Sequence, residues 1–315
     1  MRRFGTSPLR VATLALLIIA ARACEHLLLL DNHRADFLAA QRTTWMQWAF
    51  ADRSFSRECL VVFAPANGGV APGHRANATG LSTVALPQFG RDTWRRREWM
   101  LSWAIRAHGG RLATVTLTEG DVFICWRSWR ELVRGVAVAA AAAAAAPIVV
   151  GYRHRDGRLF DMHFAVLSAR VAAALAAALG DRAWRRAATR DALYAVPPGQ
   201  LGACASACVA RARARLCDVR PAGLGCHLGC FGAPRRKRSP SRSNRTASCA
   251  APLVYAHHTR DPDDLRRAWA QNRDVAAWPN QAPNLFASLA CEDDSPELRA
   301  LPCGRSIPPG VCALT

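Results

Sequence analysis

Two acids at the end of the segment Leu112–Phe123 are the residues whose types and spacing most directly suggest chemistry. Glu119 and Asp121 lie one residue apart, directly after an apolar run typical of a β-strand. Carboxylate oxygens suit hard divalent cations such as Mn²⁺ or Mg²⁺. The pair therefore predicts a metal site that faces a diphosphate, as in enzymes that use nucleotide sugars. The alternative is a solvated acidic turn. The predicted elements on either side of the pair are needed to distinguish the two interpretations.

The elements around the acid pair follow the order of an α/β protein. An amphipathic helix is predicted over Trp94–His108, and it joins the apolar runs Leu81–Leu86 and Leu112–Leu117, which have the pattern of strands. Strand, helix and strand in this order place ligands at the carboxyl edge of a sheet. Further strands are predicted at Cys59–Ala64, Pro147–Tyr152 and Leu253–Ala256, and further helices over Arg34–Phe50, Trp126–Val133, Ala169–Leu179 and Asp261–Ala270.

The composition favours a globular protein and argues against a nucleic-acid-binding one. With 315 residues and 51% hydrophobic residues, the chain is long and apolar enough for a substantial core. Its net charge is +19, but Lys237 is the only lysine and the arginines are scattered along an alanine-rich sequence. This scatter is typical of compositional drift and not of a phosphate-binding surface. We therefore predict no nucleic-acid partner.

The amino terminus has the pattern of a membrane-targeting segment. Residues 1–10 carry three arginines, and residues 11–30 are largely apolar. Basic residues before an apolar segment predict a cytosolic tail at 1–10 and a single-pass type II signal-anchor at 11–30, with the remainder translocated. The alternative is a signal peptide cleaved after Ala23.

The cysteines support an oxidising compartment. Nine of the twelve cysteines follow residue 200, which predicts a disulfide-tied second half whose connectivity the sequence leaves open. The alternative is a zinc site built from two CxxxC pairs, Cys204 with Cys208 and Cys226 with Cys230. Asn77 and Asn244 each begin a glycosylation triplet, which agrees with a lumenal chain.

Several motifs, taken in order, resemble those of the family 31 β-1,3-glycosyltransferases, the inverting galactosyl- and N-acetylglucosaminyltransferases, and the divergence is most like that of the protozoan branch. The resemblance covers roughly residues 36–275, and no single motif is diagnostic alone. The matching segments are Arg42–Trp45 (R-x-T-W), Leu101–Ala104 before the metal motif, Glu119–Phe123 (acids followed by Val-Phe), Phe164–Ser168 (aromatic-x-Leu-Ser) and Tyr255–His258 (the late histidine).

The resemblance implies a fold and an activity. The fold would be α/β, a single GT-A-like nucleotide-sugar-binding domain with a mixed, mostly parallel sheet flanked by helices and a disulfide-rich carboxyl-terminal part. The catalytic domain would span 31–275 with a flexible basic insert at 233–248, followed by an irregular cysteine-containing tail at 276–315. It would transfer galactose or N-acetylglucosamine from a UDP-sugar to a glycan hydroxyl in β-1,3 linkage, with inversion, in the Golgi lumen.

The resemblance also implies roles for individual residues. Mn²⁺ would be held by Glu119 and Asp121 with an imidazole from His257 or His258, although the two histidines fit a surface turn equally well. Asp191 would be the general base, and its alternative is a surface acid at the start of a helix. Arg42 and Trp45 would line the uridine side of the donor site, with Trp45 in the core as the alternative.

Two departures from the family pattern bear on activity. Glu119 stands where the family has a shorter acid, and Gly120 replaces the middle acid of the metal motif. The Glu-Asp-Val-x-x-Gly element of the family corresponds here to Arg190–Leu193, with the glycine displaced. The alternative function is therefore a catalytically inactive relative, or a secreted or surface glycoprotein used for binding.

Overall fold

The structure of the chain is a computed structural model. This structure describes residues 24–65, 73, 75–76, 81–89, 92–142, 146–153, 163–190, 198–226, 249, 253–257, 261–274, 284–293, 295–300, 303, 307–308 and 310–312.

Strands and helices alternate along most of the described chain. The strands are β1 His26–Asp31, β2 Leu60–Pro65, β3 Arg75–Ala76, β4 Ser82–Leu86, β5 Thr114–Glu119, β6 Phe123–Ile124, β7 Ile148–Gly151, β8 Phe164–Ser168, β9 Arg215–Asp218, β10 Gly225–Cys226, β11 Tyr255–Ala256 and β12 Ala290–Glu292. The helices are α1 Ala35–Arg42, α2 Met46–Ala51, α3 Thr93–His108, α4 Trp126–Ala142, α5 Ala169–Gly180, α6 Arg182–Arg190, α7 Pro198–Arg211, α8 Pro262–Asn272 and α9 Pro296–Arg299, with single 3₁₀ turns at Arg57–Cys59 and Gly109–Arg111.

The described strands form a nine-stranded mixed sheet and a small three-stranded one. The large sheet has the order β12-β9-β7-β8-β5-β1-β2-β4-β3. Strands β1, β2, β4 and β5 run parallel to one another, whereas β8 is antiparallel to both of its neighbours, and β3 and β12 are antiparallel edge strands. The predicted α/β class, with a mostly parallel sheet flanked by helices, is confirmed.

Strand β1 is an interior strand of the large sheet, and this corrects the carboxyl-terminal bound of the predicted anchor. Leu27–Leu30 are fully buried, with β2 on one side and β5 on the other. A parallel strand covered on both faces has a continuous apolar sequence, so hydropathy alone assigned these residues to the membrane segment. They belong instead to the folded domain, which begins before residue 31, while residues 1–23 lie outside the described part.

The chain around α2 and the first turn of α4 together bury a cluster of aromatic rings. Trp45 stacks on Trp126, and Phe55 meets the edges of Trp126 and Trp129. All four side chains are buried. The predicted single helix over Arg34–Phe50 is divided into α1 and α2, and Trp45 lies at the break between them.

Disulfides tie distant parts of the domain together, as predicted. Cys204 and Cys208 on α7 pair with Cys303 and Cys312, so these cysteines do not form the zinc site that their spacing allowed. Cys226 is also disulfide-bonded, and Cys230 lies outside the described residues. The remaining described pairs are Cys24–Cys59, Cys125–Cys249 and Cys217–Cys291.

Part of the carboxyl-terminal segment belongs to the large sheet, although an irregular tail was predicted over 276–315. Strand β12 joins the edge of the large sheet beside β9, and Cys291 within it is bonded to Cys217. The predicted basic insert at 233–248 and both glycosylation sites, Asn77 and Asn244, lie outside the described residues. None of the helices in the described ranges is long and apolar enough to cross a bilayer.

Candidate metal centre

A pocket opens at the carboxyl ends of β1 and β5, where the direction of the chain connections changes. From β1 the chain builds β2 and β4 on one side, and it then returns to place β5 on the other side. Ligands of open α/β sheets bind at such a switch point. The pocket has a volume of about 350 Å³, and its described lining residues are Asn32, His33, Arg34, Phe37, Glu119, Gly120 and Asp121.

Four side chains converge at this edge of the sheet with the donor atoms of a metal site. Glu119, Asp121, His163 and His257 each offer a carboxylate oxygen or a ring nitrogen, and these four atoms all lie within 4.8 Å of one another. His257 is buried, and the other three side chains are partly exposed.

The two sheets bring these residues together from distant parts of the sequence. Glu119 is the last residue of β5, and His163 directly precedes β8, which runs antiparallel to β5, so that the Glu119 amide donates to the His163 carbonyl (3.2 Å). Asp121 precedes β6, and β6 pairs with β11, directly before His257. The disulfide Cys125–Cys249 fixes the same two segments covalently.

Two neighbours, the Arg97 guanidinium and the His163 ring, stabilise Glu119 as a carboxylate. Its Oε1 atom accepts from the guanidinium of Arg97, and its Oε2 atom is hydrogen-bonded to Nδ1 of His163. Burial favours the neutral carboxyl, but the Arg97 charge and the His163 contact outweigh it and lower the pKa of Glu119 to about 2. Glu119 therefore carries a negative charge at neutral pH.

Arg97 connects the ends of β1 and β5. Its side chain has no exposed surface, and its Nη1 atom lies 3.5 Å from Oδ2 of Asp31 while Nη2 binds Glu119. Arg96 pairs with the same Asp31 oxygen. Because Asp31 and Glu119 are register partners on adjacent strands, the buried guanidinium compensates two carboxylates that would otherwise repel each other.

The second half of the cluster consists of Asp121 and the two histidines. Nε2 of His257 lies 3.3 Å from Oδ2 of Asp121. The ring of His163 stacks on the ring of His257, with the centroids 3.9 Å apart and the planes inclined by 28°. The two imidazoles therefore lie face to face, with His257 next to the acid.

The turn between the two acids is fixed by its neighbours. Nε2 of the buried Gln41 donates to the carbonyl of Gly120 (2.8 Å), which ties α1 to the turn. A Cβ atom at position 120 would lie 3.1 Å from Oδ1 of Asn32, closer than a side chain comfortably fits. The Asn32 side chain thus occupies the space into which a side chain at position 120 would project.

The donor set fits a divalent transition metal. Carboxylate and imidazole ligands together suit Mn²⁺, Fe²⁺, Co²⁺ or Zn²⁺, and Mg²⁺ and Ca²⁺ prefer oxygen ligands throughout. Two acids from one turn and two imidazoles from two other chain segments therefore agree with the predicted metal site in their ligand types.

The structure unites only part of the predicted site. Glu119, Asp121 and His257 lie together, whereas His258 and Asp191 fall outside the described residues. Trp45 has no exposed surface and stacks on Trp126. The structure therefore places it in the core, which was the alternative to its predicted position beside the uridine. Neither Trp45 nor Arg42 is among the described residues that line the pocket.

Sequence reasoning missed His163, Arg97 and Gln41. His163 directly precedes Phe164–Ser168, the segment that matches the aromatic-x-Leu-Ser element. An antiparallel strand beside β5 must begin where β5 ends, so the position of His163 was a usable signal once a strand is recognised there. Arg97 lies among other arginines on an amphipathic helix, and nothing in the local pattern separates it from the exposed ones. Gln41 likewise carries no local signal.

No protein-family model matches the chain, and no curated protein matches its sequence.

Proposed function

We propose that the chain is a divalent-metal-dependent glycosyltransferase that binds a UDP-sugar in the pocket between β1 and β5. The observation that carries this proposal is the convergence of Glu119, Asp121, His163 and His257 within 4.8 Å beside that pocket. A GT-A-like assignment of the fold belongs to the same proposal. It is supported by the switch point between β1 and β5 and by the acid pair that follows β5.

Sugar transfer needs charge compensation at the departing nucleoside diphosphate, and a bound divalent cation supplies it. Asp121, His257 and the Glu119–His163 pair would hold that cation at the mouth of the pocket. Arg97 keeps Glu119 ionised and fixed in place. The chain thus prepares the site before the donor arrives, which avoids reorganisation during the reaction.

The pocket lining also favours a nucleotide. Asn32, directly after β1, contributes a polar side chain to the lining. His33 and Arg34 follow in the same lining and suit a phosphorylated ligand.

The finer features of the proposal rest on the family resemblance. They are β-1,3 linkage, inversion, galactose or N-acetylglucosamine as the transferred sugar, and a type II position in the Golgi membrane. The disulfides of the described domain favour an oxidising compartment such as the secretory lumen. We keep the role of general base for Asp191, because Glu119 is already bound to Arg97 and His163.

A donor-binding titration tests the proposal. The full chain, purified with its disulfides intact, is titrated with UDP-galactose and UDP-N-acetylglucosamine in the presence and absence of Mn²⁺. We expect binding of one donor that depends on Mn²⁺ and is weakened at least about tenfold by Asp121→Ala, the loss of one charged contact. Asp293→Ala, which removes an equal charge at an exposed ion pair with Arg215, is the matched control and leaves binding unchanged.

The outcomes separate the two functional classes. Release of UDP with the correct donor supports the transferase. Donor binding without UDP release or transfer to any glycan acceptor supports the inactive relative. Absence of binding by both donors with Mn²⁺ present contradicts the proposal.

A further inference from the structure

We infer that His163 is a metal-binding residue, that Asp121, His163 and His257 form a site of two imidazoles and one carboxylate, and that Glu119 positions His163 instead of binding the metal. This inference deepens the metal-dependent function proposed above and rests on it for its biological meaning. It assigns to His163 and Glu119 roles that differ from those the sequence predicted.

The first step is that both oxygens of Glu119 are already engaged. Oε1 binds the guanidinium of Arg97, and Oε2 binds Nδ1 of His163. Arg97 has no exposed surface, so turning Glu119 toward a metal would take one of two carboxylates away from a buried cation and leave it with Asp31. The arrangement therefore favours Glu119 as a fixed hydrogen-bond acceptor.

The second step concerns the ring that Glu119 holds. A histidine that donates its Nδ1 proton to a carboxylate keeps the lone pair on Nε2, which is the tautomer that a metal requires. The carboxylate–histidine pair also fixes the ring orientation and raises the basicity of the free nitrogen.

The third step is the position of His163 relative to the other two ligands. Its ring lies against the ring of His257 at 3.9 Å, and His257 in turn places Nε2 3.3 Å from Oδ2 of Asp121. Asp121, His163 and His257 each have a donor atom within 4.8 Å of the other two, and the cluster persists as a three-residue set when Glu119 is left out.

The ligand types then determine the class of metal. Two imidazoles and one carboxylate suit the first-row transition metals, whereas Mg²⁺ dehydrates reluctantly and favours oxygen ligands. The site should therefore take Mn²⁺, Co²⁺ or Zn²⁺ in preference to Mg²⁺. A site built only on the two acids of the Glu-x-Asp pair would not make this distinction.

Metal binding to the donor-free protein tests the inference without reference to activity. The metal-stripped full chain is titrated with Co²⁺, Mn²⁺ and Mg²⁺, and pulsed EPR of the Mn²⁺ form counts the directly coupled nitrogens. We expect two nitrogens in the wild type and one in His163→Ala, with Co²⁺ affinity reduced by about 100-fold. Glu119→Gln should keep two nitrogens and lose about 10- to 100-fold in affinity, the range measured for residues that orient a ligand.

The controls and contrary results are distinct. Asp293→Asn, remote on the edge strand pair, should leave both the nitrogen count and the affinity unchanged. A single coupled nitrogen in the wild-type protein would overturn the inference, and this measurement does not depend on any variant folding. Mg²⁺ that displaces Co²⁺ as effectively as Mn²⁺ does would also overturn it. Two-nitrogen metal binding without any UDP-sugar binding would contradict the proposed function alone.

Discussion

Asp31 and Glu119 end neighbouring parallel strands in direct register, and both carboxylates bind the buried guanidinium of Arg97. Two acids placed side by side at the edge of a sheet repel each other and resist burial. Arg97 removes this conflict and, through Glu119, fixes the ring of His163. The stability of the sheet edge and the geometry of the candidate metal centre therefore depend on the same side chain.

Replacement of Arg97 should be severely destabilising. Arg97→Met leaves Asp31 and Glu119 without their shared cation, and breaking a buried ion pair in this way costs about 3 to 5 kcal/mol. Urea denaturation measures the change. Arg106→Met is the matched control, because Arg106 is exposed on the same helix and its loss should change the free energy of unfolding by no more than about 0.5 kcal/mol. Equal effects of the two substitutions would contradict the structural role of Arg97.

A side chain at position 120 should be costly because of Asn32. Gly120→Ala brings a Cβ atom to 3.1 Å from Oδ1 of Asn32, and overpacking of this kind costs about 1 to 3 kcal/mol. Gly110→Ala is the control, since a Cβ atom there meets nothing within 4 Å. The unfolding free energies of both variants are measured by urea denaturation.

The Asn32 contact itself can be isolated with a double-mutant cycle. If the clash is the cause, Gly120→Ala should cost less when Asn32 is already alanine, with a coupling of about 0.5 to 3 kcal/mol. Strict additivity of the two substitutions would show that the cost of Gly120→Ala has another origin.

Local patterns predicted the elements that carry the site but not all of the site itself. Helix α3, predicted to begin at Trp94 and end at His108, is observed from Thr93 to His108, because apolar spacing and the following glycines are local signals. Glu119 was predicted as a site residue from another local signal, the pair of acids that directly follows an apolar run. His163 is 44 residues from Glu119, and Arg97 is 22 residues from it, so their contacts arise from tertiary structure alone. Hydropathy also assigns an arginine to solvent, and only its acidic partners explain why Arg97 is buried.

Stability should fall as the pH drops below about 6.5 because of His26, at the start of β1. Burial, aided by the charges of Arg130 and Arg134 and opposed by Glu25, lowers its pKa below the ordinary 6.5. Its ring is also hydrogen-bonded to Thr114 (3.0 Å). In this window the unfolded chain binds a proton that the folded chain does not, so the stabilisation present above pH 6.5 is lost as the pH falls toward the folded-state pKa.

The substitution His26→Gln isolates this contribution. The variant has no titrating ring, so its unfolding free energy should depend less on pH below 6.5, by at most about 1.4 kcal/mol per pH unit. Parallel denaturation series at several pH values measure the difference between the two proteins. An unchanged slope in the variant would assign the acid sensitivity to other groups.

The carboxyl-terminal disulfides should hold their segment onto α7. Cys303 is bonded to Cys204 across 99 residues, and its carbonyl accepts from Nε1 of the buried Trp184 (3.1 Å). Replacing Cys204 and Cys303 together by serine should destabilise the domain by about 2 to 5 kcal/mol, the cost of removing a native disulfide. In the loop-entropy model the same change at Cys24 and Cys59, 35 residues apart, should cost about 1 kcal/mol less. Denaturation of both double variants, with proteolysis to detect early release of the tail, measures the difference. A larger loss for the Cys24–Cys59 pair would show that packing around β1, and not loop length, decides what each disulfide contributes.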